Sequence, residues 1–206
     1  MSVAILAGGR SSRMGTDKAM LRLHPAGPTF LELAVRAAAA MSDDVFVIAS
    51  DRPEYSPFGA PVRADRFPDA GALGGTATAL VEARYDVAMV VSCDHPFLNP
   101  ALLSRLALIE PSTDVLIPRL RGMSRQGGAF VLQTLHAAYR RRCLPFIETA
   151  LKAGNRQIVG FFNDVTVSHL DEEELRAIDP DLRSLTSVNT PESLESVRQV
   201  WRSDHA

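Results

Sequence analysis

Glycines and basic side chains share one short segment, residues 6–18, directly after an apolar run at the start of the chain. Gly8 and Gly9 let backbone N–H groups approach an anion without a Cβ in the way. Arg13 and Lys18 add two fixed positive charges to the same segment. Phosphoryl and nucleotidyl transfer depend largely on positioning the substrate and neutralising its charge. The segment therefore predicts a loop that holds a nucleoside triphosphate.

Neither of two common phosphate-binding motifs describes this segment. A Walker A loop needs the order G-x-x-x-x-G-K-[ST], but Gly15 is followed here by Thr-Asp-Lys and the glycine spacing differs. A dinucleotide-binding G-x-G-x-x-G is absent here and also in residues 71–75. Gly8 and Gly9 taken alone are also compatible with a tight turn after a strand, since glycine turns are common.

Two aspartates are further candidates for chemistry. Asp94 follows the apolar run of residues 87–91, and a carboxylate there suits a Mg²⁺ ion held by one or two carboxylates plus substrate phosphates. An isolated aspartate before Pro96 would favour a turn or a helix N-cap, but the basic loop makes the metal the better interpretation. For Asp65, a role toward the ligand and an ordinary surface ion pair remain equally open.

The elements that must position these residues follow from hydrophobic runs and helix signals. Short apolar runs predict strands at residues 3–7, 45–49, 87–91, 115–117, 128–132 and 165–167. Helical patterns cover residues 73–85, 100–109, 134–153, 172–177, 192–201 and 30–41, the last with Thr29 as N-cap. The alternation predicts a single α/β domain, three layers deep (α/β/α), with a mostly parallel sheet. Such sheets bind ligands at the carboxyl ends of their strands, where residues 6–18 and Asp94 fall.

Composition sets outer limits on function. The 206 residues are 46% hydrophobic and 22% charged, which is typical of a soluble globular protein. The net charge of −2 argues against general nucleic-acid binding, and no apolar stretch is long enough to span a membrane or to serve as a signal peptide. Cys93 and Cys143 form no Cys-x-x-Cys pair, so we expect a reducing, cytoplasmic location.

With these residues in place, the chain resembles the molybdenum cofactor guanylyltransferases of the MobA type, from Leu6 to about Leu194. Residues 6–18 match L-A-G-G-x-S-x-R-M-G-x-D-K at every fixed position. Asp65 before residues 71–75 is similar to the family's aspartate before G-P-L-x-G, and residues 93–97 resemble C-D-x-P-[FY]. Residues 188–192 match V-N-T-P-E. The ordered set is much more specific than the opening loop, which also occurs loosely in sugar-nucleotide and cytidylyl transferases.

The resemblance implies a Rossmann-like nucleotidyltransferase fold, with an N-terminal part that binds GTP and a C-terminal part that binds molybdopterin. It implies transfer of GMP from GTP to molybdenum-bearing molybdopterin with Mg²⁺, releasing pyrophosphate. Asp94 would bind both GTP and Mg²⁺, Arg13 would stabilise the transition state, and Asn189 would have a weaker role at the pterin or metal side. The nucleotide-binding positions that the resemblance implies are Leu6, Ala7, Gly8, Gly9, Lys18, Asp65 and Asp94. Transient contact with cofactor-biosynthesis proteins or target molybdoenzymes is compatible with such a role; contact with nucleic acid or membrane is not expected.

Departures from the family pattern and other functions leave alternatives open. Ala72 stands where the family has proline, and Gln126-Gly127 stands where it has Gln-Pro or His-Pro near the pterin side. The sequence Leu-Ala-Gly-Gly favours guanine over cytosine, because the related cytidylyltransferases carry Leu-Ala-Ala-Gly. A cytidylyl or sugar-1-phosphate nucleotidyltransferase remains the alternative, followed by a non-catalytic molybdopterin carrier, against which Arg13, Lys18 and Asp94 together argue.

Several other side chains have competing interpretations. For His95 a packed or hydrogen-bonded imidazole is favoured over a functional contact, because a phosphate nucleophile needs no general base. Cys93 is expected to pack under the strand end and not to react. A solvated face is expected for residues 140–142, which are all arginines. Candidates for anchoring the anionic second substrate are Arg119, Arg121 and Arg125, which follow a predicted strand end.

Overall fold

A computed structural model describes residues 1–8, 16–50, 52–122 and 129–204. Within these ranges the chain forms one mixed β-sheet with helices on both faces. The strands are β1 (Ser2–Leu6), β2 (Val45–Ile48), β3 (Val62–Arg63), β4 (Val87–Ser92), β5 (Val115–Arg121), β6 (Phe130–Leu132), β7 (His136–Arg140) and β8 (Val167–Asp171). The helices are α1 (Phe30–Ala39), α2 (Gly71–Glu82), α3 (Pro100–Ala107), α4 (Leu144–Lys152), α5 (Glu172–Ile178) and α6 (Pro191–Asp204).

The sheet order is β3-β2-β1-β4-β7-β5-β6, with β8 also paired to β5. Strands β3, β2, β1 and β4 are parallel to one another, so their carboxyl ends meet at one edge. Strand β7 is antiparallel to both β4 and β5, whereas β8 is parallel to β5. The loops after β1, β2 and β4 are therefore brought together by the parallel half of the sheet, at the edge where sheets of this kind bind ligands.

The two faces of the sheet carry two separate apolar clusters. One face packs α1, α3 and α5 through residues such as Leu31, Leu103 and Leu175. The other packs α2 and α4 through residues such as Leu80 and Ile147. The three-layer α/β/α class predicted from the sequence is thus confirmed, in a sheet with four parallel and three antiparallel pairings among the described strands.

Helix α1 begins where the sequence predicts. Thr29 Oγ1 accepts a hydrogen bond from Glu32 N at 3.1 Å, and Glu32 Oε2 accepts one from Thr29 N at 2.6 Å. This reciprocal capping box satisfies two backbone donors at the start of the helix. None of the helices in the described ranges is both long and apolar enough to cross a membrane.

The predicted helix at residues 134–153 is wrong in its first half. Residues 136–140 form β7, a central strand. The α-helix covers only Leu144–Lys152, after a short 3₁₀ helix at Arg141–Cys143. The side chains of His136, Ala137, Ala138 and Tyr139 are all fully buried because β7 lies between two strands and has helices on both faces. A strand buried on both sides shows no apolar–polar alternation, and its alanines favour helix by propensity.

Two of the three consecutive arginines 140–142, Arg141 and Arg142, are exposed as expected of a solvated face, and all three also bind backbone carbonyls. Arg140 Nε donates to Thr113 O at 2.9 Å, Arg141 Nη2 to Ala83 O at 2.6 Å and Arg142 Nη2 to Pro111 O at 2.9 Å. These contacts lie at the amino ends of the parallel strands, the edge opposite the candidate site. The arginines therefore satisfy loop carbonyls there.

Candidate active site

A cavity of about 630 Å³ opens at the carboxyl ends of β1, β2 and β4. Leu6 and Gly8 line it from the end of β1, Ser50 and Arg52 from the end of β2, and Ser92 from the end of β4. Ala7 is buried beneath it, where its N–H donates to Ile48 O at 3.0 Å. The cavity thus lies where the sequence predicts a nucleotide, and its volume suits a molecule of that size.

The start of α2 forms another wall of the cavity through Gly71, Ala72 and Gly75. The residue before the helix is Ala70, which offers no side-chain cap, and the first turn carries no acidic residue. The N–H groups at this helix end and the positive end of its dipole therefore favour an anionic or oxygen-rich ligand. A Cβ at Gly75 would lie 2.9 Å from Leu6 Cδ1, so this glycine allows α2 to pack against the end of β1.

Asp65 lines the same cavity and orders the segment that leads into α2. Its Oδ1 accepts hydrogen bonds from Phe67 N at 2.9 Å and from Thr78 Oγ1 at 2.7 Å. The neighbouring arginines Arg63 and Arg66 both bind Glu82, so neither of them forms the surface ion pair with Asp65 that the sequence left open. Asp65 therefore faces the ligand space predicted for it.

Lys18 lies at the centre of the charged part of the site. It begins a short 3₁₀ helix, Lys18–Met20, whose N-cap Asp17 accepts from Ala19 N at 3.0 Å. Lys18 Nζ donates to Asp94 Oδ2 at 3.1 Å and to Asn189 Oδ1 at 2.7 Å. One ammonium group thus joins three segments that are far apart in the chain, all of them singled out from the sequence.

Asn189 reaches the site because the segment before α6 is tied to the end of β4. Val188 N donates to Asp94 O at 2.9 Å, and Asn189 Nδ2 donates to Ser187 Oγ at 2.8 Å. Lys18 determines the orientation of the amide, because an ammonium group can only donate and therefore requires the oxygen Oδ1 to face it. Asp94 and Asn189 therefore present two oxygen atoms to the same cation.

Asp94 is held as a carboxylate. Its side chain is 15% exposed, and burial alone would raise its pKa. Contacts with the side chains of His95 and Ser92 and the charge of Lys18 outweigh that effect and hold the pKa of Asp94 below its ordinary value. The group is negatively charged at neutral pH and suited to a cation.

The neighbours of Asp94 agree with the non-catalytic interpretations made from the sequence. Burial, together with the adjacent Asp94 carboxylate, raises the pKa of the Cys93 thiol, so no thiolate forms there at neutral pH. His95 is buried, with Nδ1 at 3.2 Å from Asp94 Oδ1, and its ring meets that of His136 edge to face at 5.8 Å between centroids.

Two groups of sequence-predicted residues have other outcomes. Gly9, Arg13, Arg125 and Gln126-Gly127 lie outside the described residues. Arg119 is at the carboxyl edge of the sheet but is bound by both oxygens of Asp171, at 2.7 and 2.9 Å, and stacks over Phe130. Any role of Arg119 with an anionic substrate would require it to exchange this partner.

The structure adds site residues that the sequence analysis missed. Tyr55 is fully buried and its hydroxyl donates to Asp17 Oδ2 at 2.6 Å, while Arg156 lines the cavity and donates to Asp69 O at 2.6 Å. Ser50 and Arg52 follow the apolar run of β2, and the rule that ligands bind beyond strand carboxyl ends would have found them. Tyr55 and Arg156 carry no such signal in the sequence.

Comparisons with known proteins agree with this geometry. Residues 3–170 match the model of the MobA-like NTP transferase domain. A molybdenum cofactor guanylyltransferase of Desulfosudis oleivorans is 33% identical over 192 residues, covering 93% of this chain and 91% of the relative. A probable molybdenum cofactor guanylyltransferase of Chloroflexus aggregans is 36% identical over 199 residues, covering 96% and 93%.

A solved structure is similar in fold over the whole chain. Molybdopterin-guanine dinucleotide biosynthesis protein A of Archaeoglobus fulgidus superposes with a TM-score of 0.80 at 24% identity, covering 98% of this chain and 100% of that one. This structural similarity shows a shared fold, whereas family membership is shown by the sequence matches. Those matches span most of the chain and include both the loop after β1 and the end of β4, so the chain belongs to the MobA-like NTP transferase family.

Proposed function

We propose that this enzyme transfers GMP from GTP to molybdenum-bearing molybdopterin, forming the guanine dinucleotide cofactor and pyrophosphate. The observation that carries the proposal is the hydrogen bonding of Lys18 Nζ to Asp94 and Asn189. Asp94 follows two residues after Ser92, which lines the cavity at the carboxyl edge of the sheet. The relatives named as molybdenum cofactor guanylyltransferases support the choice of substrates. The parallel half of the sheet would bind GTP, and the part of the chain from β5 onward would bind molybdopterin.

The nucleotide would occupy the cavity. Leu6, Ala7, Gly8 and Gly9 would contact it through their backbone, and Asp65 would contact it from the opposite wall. The N-terminus of α2 adds uncapped N–H groups on the same side. Lys18 would turn from Asp94 toward the phosphates. By its match to the family pattern, Arg13 would stabilise the charge that develops during transfer.

The donor set fits Mg²⁺. Asp94 Oδ2 and Asn189 Oδ1 are hard oxygen ligands, and both already hold a cation, the ammonium of Lys18. No group of three or more acidic, histidine or cysteine side chains that could hold a metal occurs in the described ranges. This suits Mg²⁺, which usually binds one or two protein oxygens plus substrate phosphates and water. When bound, Mg²⁺ would neutralise the triphosphate and the departing pyrophosphate.

The reaction needs no covalent enzyme intermediate. The terminal phosphate of molybdopterin is already a nucleophile and would attack the α-phosphorus of GTP, as the bond to pyrophosphate breaks. A phosphate monoester is mostly dianionic near neutral pH, so no side chain has to remove a proton. The chain's task is to align the two substrates and to screen their charges through Lys18, Arg13 and Asp94.

GTP with Mg²⁺ is expected to stabilise the protein more than CTP, ATP or UTP. Binding to the native state at 100 times the dissociation constant adds about 2.7 kcal/mol. For a chain of this size such an increase raises the melting temperature by roughly 5–10 °C. Differential scanning fluorimetry with each nucleotide, with and without Mg²⁺, measures this directly.

A larger shift with CTP would contradict the assignment of guanine and favour a cytidylyltransferase. Pyrophosphate release tests the second substrate: it should require both GTP and molybdopterin. Binding of molybdopterin without pyrophosphate release under any nucleotide would favour a carrier and would overturn the enzymatic proposal.

A further inference from the structure

The two carboxylate oxygens of Asp94 face different partners. Oδ2 accepts from Lys18 Nζ at 3.1 Å, whereas Oδ1 lies 3.2 Å from His95 Nδ1. Lys18 can leave Oδ2 when phosphates are present, because its long side chain carries a mobile charge. His95 cannot follow, since its ring is buried and packed.

His95 Nδ1 is buried and makes no hydrogen bond of good geometry with any described residue. Its contact with Asp94 Oδ1 is short enough for a hydrogen bond but poorly directed in this state, where Lys18 holds the other oxygen. Buried donors are rarely left without an acceptor. A small rotation of the Asp94 carboxylate, once Lys18 has left, would satisfy the donor.

His136 fixes the ring of His95 without competing for Asp94. His136 lies on β7 opposite Val91 of β4 and is fully buried. Its ring meets that of His95 edge to face, with 5.8 Å between the ring centroids. Both of its nitrogen atoms lack hydrogen-bond partners among the described residues. His136 therefore acts on His95 by packing.

We infer that His95 is a positioning residue, whose Nδ1–H holds Asp94 Oδ1 and thereby directs Oδ2 to the metal ion of the nucleotide complex. The inference rests on the proposed role of Asp94 as a metal ligand. A carboxylate held at one oxygen binds metal through the other in one orientation, so less ordering is required when the nucleotide complex forms. His95 is not required as a general base, because the phosphate nucleophile is already ionised near neutral pH.

Two variants of His95 separate hydrogen bonding from packing. His95→Asn retains an N–H donor near the position of Nδ1 but loses the ring, whereas His95→Phe retains the ring against His136 but has no donor. The experiment measures the Mn²⁺ dissociation constant of the enzyme–GTP complex by electron paramagnetic resonance, and the Mg²⁺ concentration that gives half-maximal pyrophosphate release.

His95→Phe should weaken metal binding about tenfold in both measurements, with kcat at saturating Mg²⁺ reduced much less. His95→Asn should stay within about twofold of the wild type. The opposite order, wild-type affinity in both variants, or equal weakening in both would each overturn the inference. If the melting curve shows that His95→Asn does not fold, His95→Phe alone still tests the inference, because wild-type Mn²⁺ affinity in that variant would overturn it.

Asp94→Asn distinguishes failure of this inference from failure of the proposed function. If Asp94→Asn still binds Mn²⁺ with GTP as the wild type does, the metal site itself is misassigned. If Asp94→Asn loses Mn²⁺ while His95→Phe does not, the metal site stands and only the positioning role of His95 is wrong.

Discussion

At the scale of single residues, Lys18 is the most informative side chain of this protein. Its ammonium group bridges Asp94 and Asn189, and it follows directly on the loop whose glycines suit a phosphate. The lysine is 21% exposed, so it is accessible to a ligand while still pairing with a buried carboxylate. This double position explains how one residue can both pair with Asp94 and contact the triphosphate.

Replacing Lys18 by methionine should lower kcat/KM for GTP by about 100-fold, the usual loss when one charged stabiliser of a transition state is removed. The chain provides a matched control, because its only other lysine is Lys152 at the end of α4. Lys152→Met should leave kcat/KM within about twofold of the wild type. Steady-state pyrophosphate release measures both, and equal rates for Lys18→Met and wild type would refute the loop assignment.

At the scale of elements, the short helix Lys18–Met20 is anchored from a distance. Asp17 caps it with Oδ1 and receives the Tyr55 hydroxyl on Oδ2, so the segment after β2 holds the segment after β1. Burial, with the nearby Asp17 carboxylate, raises the pKa of Tyr55, so the hydroxyl remains a donor at any ordinary pH. The position of Lys18 therefore depends on contacts beyond its own loop.

Tyr55→Phe should raise KM for GTP several-fold while changing kcat less, because the cap of the Lys18 helix loses its anchor. A hydrogen bond to a charged group contributes about 1.5–3 kcal/mol, so the melting temperature should also fall. Tyr85→Phe is the matched control, since its hydroxyl also binds a carboxylate, Asp43, but on an exposed surface. If both variants have the same KM, Tyr55 does not position the loop.

Elements were predictable from the sequence where their signal is local. Thr29 capped its helix as predicted, and the apolar runs of β1, β2 and β4 were visible because each ends in a polar or glycine-rich segment. Strand β7 was not predictable, because it is buried on both faces and so lacks the alternation of apolar and polar residues that marks a strand. The contact between Tyr55 and Asp17 was also beyond reach, because it depends on how two loops meet in three dimensions.

At the scale of the whole molecule, the sheet has two parts that meet between β4 and β7. The parallel part brings Lys18, Asp65 and the end of β4 to one edge, and the motifs of those loops made this half of the site predictable. The reversal at β7 places His136 at the same edge, directly beside the end of β4. His136 is fully buried at this junction, and no residue in the described part of the chain forms a hydrogen bond with its ring, so it affects the stability of the entire fold.

The free energy of unfolding should fall as pH decreases from 6.5 toward 5, with His136 as a principal cause. Burial and the neighbouring His95 lower the pKa of His136 from 6.5 to about 3. Below pH 6.5 the unfolded chain therefore binds a proton at His136 that the folded chain does not bind. The contribution of neutral His136 to the free energy of unfolding is fully present above pH 6.5 and is lost as the pH falls. The loss approaches 1.4 kcal/mol for each pH unit.

His136→Phe should remove most of this slope and leave stability at pH 7.5 equal or higher, because it eliminates two buried nitrogen atoms that no described residue binds. Urea denaturation at pH 7.5, 6.5, 5.5 and 5.0 measures the slope. His169→Gln is the comparison, since burial and the charge of Arg119 also lower the pKa of His169. This histidine is only partly buried, so its contribution to the slope of stability against pH should be smaller.

Above pH 5 the carboxylates of the unfolded chain stay largely ionised, so Asp94 and the other carboxylates add little to the slope. A wild-type stability that is flat from pH 6.5 to 5 would mean that His136 accepts its proton in the folded protein, and that the junction between the two halves of the sheet tolerates a buried charge.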